Sequence, residues 1–249
     1  KRFLEAEKFP EDILAELAGF LQIIHSPLAV RSSSLLEDSQ YHPFAGVYET
    51  YMLPNNQSNP LIRLNDLLNT IKRVYASTFY QAPKNYIKIT SYRLEEEKMA
   101  VIVQKMVGSR HENRFYPHFS GVAKSYNFYP LPPQKSTDGI ISVALGLGKW
   151  VVDGGLTVRF CPKYPTDLIQ FYSSKDALEN SQREFYALRL DETNRFVETT
   201  HDTLVETFNL SVSEKDGTLN PVGSVYSPDN DMIYDGLSRQ GSRLVTFGP

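Results

Sequence analysis

Apolar positions recur at helical spacing between Pro10 and His25, at Ile13, Leu14, Leu17, Phe20, Leu21 and Ile24, and predict an amphipathic helix with Pro10 near its first turn. Pro27 stops that helix. Leu28-Ala29-Val30 then reads as a short strand ending on one cation, Arg31. Three serines, the acidic pair Glu37-Asp38 and a loop holding Pro43 and Gly46 follow, before a second alternating run over residues 47–53. Past an Asn-rich loop the spacing predicts a long helix over 61–80. Leu64, Leu67, Leu68, Ile71, Val74, Tyr75 and Phe79 lie on one face, and Arg63, Asn65, Lys72 and Arg73 on the other. Pro83 closes it, and residues 85–93 read as a further short helix.

The second half of the chain is strand-like. Residues 99–107 (MAVIVQKMV) form a nearly continuous apolar run with one amide, Gln104, which predicts a strand buried on both faces. Residues 120–128 alternate, and residues 139–147 form another apolar strand running into Gly146 and Gly148. Beyond Pro165 the pattern weakens. Residues 183–190 and 204–212 read as strands, 218–236 as turn-rich, and 242–247 as a closing strand. The class these elements build is α+β, with mixed or antiparallel sheets flanked by helices.

Composition narrows the function classes. The 249 residues include 15 Tyr and 14 Phe, ample for a core, and the net charge of −3 does not suit a broadly basic nucleic-acid surface. One cysteine, Cys161, forbids an intrachain disulfide and fits a reducing, cytoplasmic setting. No apolar run approaches the roughly 20 residues that span a bilayer. The chain opens on Lys1 just ahead of a helix, and reads as part of something longer.

Candidate chemistry centres on residues 27–51. An arginine beside hydroxyls and a glycine-containing loop suits an anion, because a delocalised cation and fixed donors match phosphate oxygens. The plainer reading is a solvated hairpin in which Arg31 pairs with Glu37. Glu95-Glu96-Glu97 reads as a solvated turn, since successive turn carboxylates cannot all converge on one ion. His111 and His118, without cysteine nearby, make a weak zinc pattern. No P-loop and no G-x-G-x-x-G is present.

Ala29-Val30-Arg31-Ser32-Ser33, then Glu37-Asp38, then Phe44-Ala45-Gly46-Val47-Tyr48-Glu49-Thr50 resemble, in order and spacing, the signature of the pyruvate phosphate dikinase and phosphoenolpyruvate synthase family. Val103-Gln104-Lys105-Met106-Val107 resembles its V-Q-x-M-V strand, Ser120-Gly121-Val122 its S-G-V strand, and residues 146–154 its G-L-G-E-x-V-V-x-G turn. The resemblance implies an ATP-grasp-like nucleotide-binding domain spanning 1–249, with 27–165 as its core and 166–249 as a less well matched C-terminal part. It implies ATP and Mg²⁺ as ligands and phosphoenolpyruvate formation from pyruvate through a phosphohistidine. That histidine would sit on a swivelling domain, and pyruvate on another, both outside this stretch. Arg31 and Ser32 would hold phosphate, with Arg31 catalytic. The backbone at Gly46 would approach the phosphates. Gln104, Lys105, Met106 and Val107 would take adenine, with Met106 against its face. Glu37 and Asp38 would orient Arg31 or hold metal. Three departures matter. Lys149 stands where the family carries a metal-site Glu, leaving Asp153, four residues on, as a substitute metal carboxylate, with Lys149 and Arg159 as cations toward the nucleotide and Lys163 nearby. The family's glycine-lysine loop is missing, and Thr200-His201 lacks the surroundings of the phosphohistidine. A non-catalytic nucleotide-binding or interaction module is the alternative.

Overall fold

In a computed structural model of the chain, the described residues are Glu5, 9–34, 48–88, 98–191 and 204–248. The chain divides into two compact units, one comprising residues 1–107 and 188–205, the other 108–187 and 206–249.

The first unit is built on a three-stranded antiparallel sheet. Helix α1 (Glu11–Ile23) starts behind Pro10, with Glu11 and Asp12 in the first turn where the helix dipole favours carboxylates. Strand β1 (Leu28–Ser34) lies between β2 (Thr50–Leu53) and β3 (Met99–Lys105). Helix α2 (Pro60–Ser77) opens with Asn59 accepting the Leu61 amide at 2.9 Å, and Pro60 at its first position. Leu28, Val30, Tyr51 and Leu53 of the sheet pack against Leu21 of α1 and Leu67, Ile71 and Val74 of α2. Each such side chain contributes about 1.5–3 kcal/mol by leaving water. Burial also pushes the Tyr51 phenol far above its ordinary pKa.

Four expectations change here. The serines are not a loop: β1 runs on through Ser34. Strand β3 is not buried on both faces but sits at the sheet edge with one face half open. Helix α3 (Gln81–Lys88) begins earlier than predicted, with Pro83 inside its first turn, where no intrahelical donor is lost. Arg63 does not face solvent: it is 4 % exposed and donates to His25 Nδ1 at 3.1 Å and to the Ile24 carbonyl at 3.4 Å. That carbonyl end of α1 is where a cation is favoured.

Among the described residues the second unit is built on three small sheets. Strands β4 (Ser109–His111) and β5 (Arg114–Tyr116) form a hairpin. Strand β7 (Ile140–Ala144) pairs antiparallel with β6 (Ser120–Lys124) and β8 (Val158–Phe160). A one-turn helix, α4 (Lys149–Val152), follows β7, and α5 (Ser174–Asn180) is capped by Ser173. Strands β9 (Glu184–Arg189) and β10 (Val205–Asn209) extend the hairpin sheet in the order β10-β9-β5-β4. The alternation of 204–212 breaks at Asn209, and Leu210–Lys215 is helix α6, not strand. The turn-rich stretch contains two real strands, β11 (Gly223–Ser227) and β12 (Met232–Asp235), joined by β13 (Ser242–Val245). The α+β class with antiparallel pairing is as expected, and it is consistent with an ATP-grasp-like domain.

The hairpin is fixed by a buried ionic cluster. Arg114 donates to both carboxylate oxygens of Asp216, at 2.8 and 3.3 Å, and the Tyr116 hydroxyl donates to Asp216 at 2.7 Å. Burial raises the Asp216 pKa, yet the hydrogen bonds from Arg114 and Tyr116 and the Arg114 charge outweigh it and hold the carboxyl below its ordinary value.

Candidate nucleotide site

Strand alternation divides β1 between two faces. Leu28, Val30, Ser32 and Ser34 point to the helix-covered side, and Ala29, Arg31 and Ser33 to the open side. The register sets Arg31 between Thr50 of β2 and Ile102 of β3, and Ala29 opposite Gln104. Arg31 and Gln104 therefore share the open face as diagonal cross-strand neighbours, roughly 7–8 Å apart. Both are exposed. Ser32, only 3 % exposed, faces the opposite way and is not brought to Arg31.

The end of β3 presents backbone as well. Met106 N–H donates to the Pro27 carbonyl at 2.9 Å, so its peptide groups turn toward β1. In an antiparallel pair the next residues on either side, Lys105 and Val107, turn their N–H and C=O outward. Among the described residues no strand pairs with them, and they present one acceptor and one donor two residues apart. The Met106 side chain is buried, at 8 % exposed, whereas Val107 is 83 % exposed. Lys105 is exposed and opposite Leu28. Glu37, Asp38 and Gly46 lie outside the described residues, as do 95–97 and His201.

In the second unit, the turn after β7 is held tightly. Gly146 adopts φ +86°, and a Cβ there would meet the Tyr186 carbonyl oxygen at 2.7 Å. The Leu147 amide donates to that same carbonyl at 3.0 Å, and the Ser120 hydroxyl donates to the Gly146 carbonyl at 2.8 Å. The Gln182 side chain, buried, bonds both peptide groups of Leu145, at 2.8 and 3.0 Å, like a short added strand. Sequence reading passed over Gln182, because its partner is 37 residues away and nothing local marks it. Lys149 and Asp153 are brought together on one side of α4 as an ion pair at 3.0 Å. Lys149 also lies 6.0 Å from the Tyr186 ring centre. Arg159, on β8, is exposed and borders a cavity of about 380 Å³ in the same unit.

Among the described residues no group of three or more His, Cys, Asp or Glu side chains is placed to hold a metal. His111 and His118 are edge-to-face with ring centres 6.3 Å apart, and burial lowers the His111 pKa. Among the described residues no helix is long and apolar enough to cross a membrane.

A family model described as "Pyruvate phosphate dikinase, AMP/ATP-binding domain" matches residues 1–211. Over 152 residues, 60 % of this chain, it is 32 % identical to "Uncharacterized phosphotransferase YvkC" of Bacillus subtilis, of which this covers 16 %. It is 27 % identical over 158 residues, 62 % of this chain and 16 % of the relative, to "Rifampicin phosphotransferase" of Bacillus cereus. With "Probable phosphoenolpyruvate synthase" of Archaeoglobus fulgidus it shares 31 % over 130 residues, 52 % of this chain and 15 % of the relative. The alignments thus span about one-sixth of the length of these relatives. With a match that takes in most of the chain, and with an arginine and an amide on one sheet face where that match falls, the chain belongs to the pyruvate phosphate dikinase AMP/ATP-binding domain family.

Proposed function

We propose that this chain holds ATP for a phosphotransferase, with the nucleotide laid along the open face and β3 edge of the β2-β1-β3 sheet. The observation that carries the reading is the shared face of Arg31 and Gln104 beside the peptides of Lys105 and Val107, which no strand pairs among the described residues. The Lys105 carbonyl and Val107 amide suit the donor and acceptor edge of adenine. Arg31 lies opposite Ile102, three residues back from Lys105, roughly 10 Å along the strand. That separation suits a base at one end and phosphates at the other. Arg31 would neutralise phosphate charge, which is most of what a protein contributes to phosphoryl transfer. Gly46 is assigned to close backbone approach and Ser32 to support of β1 from its buried side.

The fit to Mg²⁺ is poor among the described residues. The Asp153 carboxylate is engaged by the Lys149 ammonium, and a cation already occupies the place a divalent ion would need. Glu37 and Asp38 remain the carboxylates that would hold a metal. Transfer of phosphate to a histidine on another domain, and from it to pyruvate, is the activity proposed for the whole protein. The Lys149–Asp153 pair favours a second reading, a domain that binds nucleotide without catalysis.

Calorimetric titration of the full-length protein with ATP tests the first reading. Arg31→Ala is expected to weaken binding by about tenfold or more, the size of a lost charge-assisted contact. Unchanged affinity would remove Arg31 from the site. ATP labelled on its β-phosphate should leave label on histidine. Binding without label selects the non-catalytic reading.

A further inference from the structure

We infer that the cavity bordered by β7, β8 and the 125–135 loop binds a small zwitterion with an apolar body, of the α-amino-acid type. Its volume, about 380 Å³, falls in the lower range of small-molecule sites, roughly 300–1,000 Å³. All of its lining comes from the second unit. Ile140, Leu131, Phe160 and Tyr129 supply apolar wall, and Arg159 and Asp167 supply opposite charges.

Those two charges are the unusual feature. Among the described residues neither the Arg159 guanidinium nor the Asp167 carboxylate has a side-chain partner, and they do not pair with each other. Close by, Lys163 and Asp138 do pair, at 3.5 Å. A simple anion would be drawn by Arg159 and repelled by Asp167, and a simple cation the reverse. A ligand carrying both signs on one carbon satisfies both, with guanidinium on carboxylate and Asp167 on ammonium. Tyr129 is 90 % exposed at the rim, apolar area that the fold itself does not use.

The walls are set before any ligand arrives. The Gln170 amide clamps β8, donating to the Thr157 carbonyl at 2.8 Å and accepting from the Arg159 amide at 3.2 Å. Buried Asn127 donates its backbone amide to the Ser136 carbonyl at 2.8 Å, and its side chain accepts from the Tyr129 amide at 3.0 Å. Such preorganisation lowers the ordering cost of binding.

Calorimetry on the full-length protein with L-phenylalanine, L-leucine, 3-phenylpropionate and 2-phenylethylamine tests this. One of the two amino acids is expected to bind at least about tenfold tighter than either singly charged analogue. Arg159→Ala and Asp167→Asn, both at exposed side chains, should each cost about tenfold in that affinity with the melting temperature unchanged. Equal binding of the analogues, indifference of both variants, or no heat from either amino acid at millimolar concentration overturns the proposal. ATP affinity should be untouched by Asp167→Asn. Its loss would assign the cavity to nucleotide and overturn the proposal while leaving the Arg31 reading intact.

Discussion

Replacing Asp216 by Asn tests the ionic cluster that fixes the β4–β5 hairpin. The carboxylate side chain is 3 % exposed and accepts three hydrogen bonds, two from Arg114 and one from Tyr116. Asn fills the same space but leaves the Arg114 charge without its buried counter-ion. Breaking a buried pair costs about 3–5 kcal/mol. Glu112 stays 3.4 Å from Arg114, so the lower end, about 3 kcal/mol, applies. For a chain of this size that is a fall of roughly 6–12 °C in melting temperature. The folded pKa of Asp216 is depressed, so its contribution is complete above the unfolded value, about 3.9, and is lost as pH falls through the folded one. The gap between wild type and Asp216→Asn should therefore be full at pH 7 and close below about pH 4. Urea unfolding followed by Trp150 fluorescence reads the unit that contains Asp216, because Trp150 is the only tryptophan. A loss under about 1 kcal/mol at pH 7, or a gap that widens with acid, refutes the reasoning.

Two other substitutions probe the fold around the nucleotide reading. Gly146→Ala combines a positive φ with a Cβ 2.7 Å from a backbone oxygen, and should destabilise by about 2–3 kcal/mol in the same urea assay. A neutral result would mean the turn is not held against Tyr186. Arg63→Met keeps an apolar stem but removes the donor to His25, and should cost about 1–2 kcal/mol, while Arg63→Ala costs more through lost packing of that stem. Equal stability of Arg63→Met and wild type would show that the guanidinium's contacts contribute nothing.

What could be read ahead of the structure followed from local period. The helices over 11–23 and 60–77, the start of the strand at Leu28 and the strand at 99–105 come from spacing that one element enforces alone. Arg63 sits at a polar position of that spacing, yet is buried, because its partners are the end of another helix and His25 beside it. Gln182 fails to announce itself for the same reason: its side chain replaces a strand for Leu145, a relation no window of sequence contains. The strands of 223–235 were hidden by their turn residues; β11 pairs with both β12 and 242–245, and that pairing supplies the order.

The most informative misreading is that of the serines. Taken as a hydroxyl-rich loop, Arg31-Ser32-Ser33-Ser34 offers all its donors to one anion. As the end of β1, the same four residues alternate, and Ser32 and Ser34 are spent on the interior. Period two was available in the sequence all along: Leu28, Val30, Ser32 and Ser34 continue one register, and only polarity argued for ending the strand at Arg31. Accepting the register narrows the phosphate-binding claim from a cluster of hydroxyls to one guanidinium, diagonal to Gln104 on neighbouring β3. That guanidinium does not need the serines beside it. It needs β1 held flat between β2 and β3, which the buried serines, Val30 and Leu28 secure from beneath.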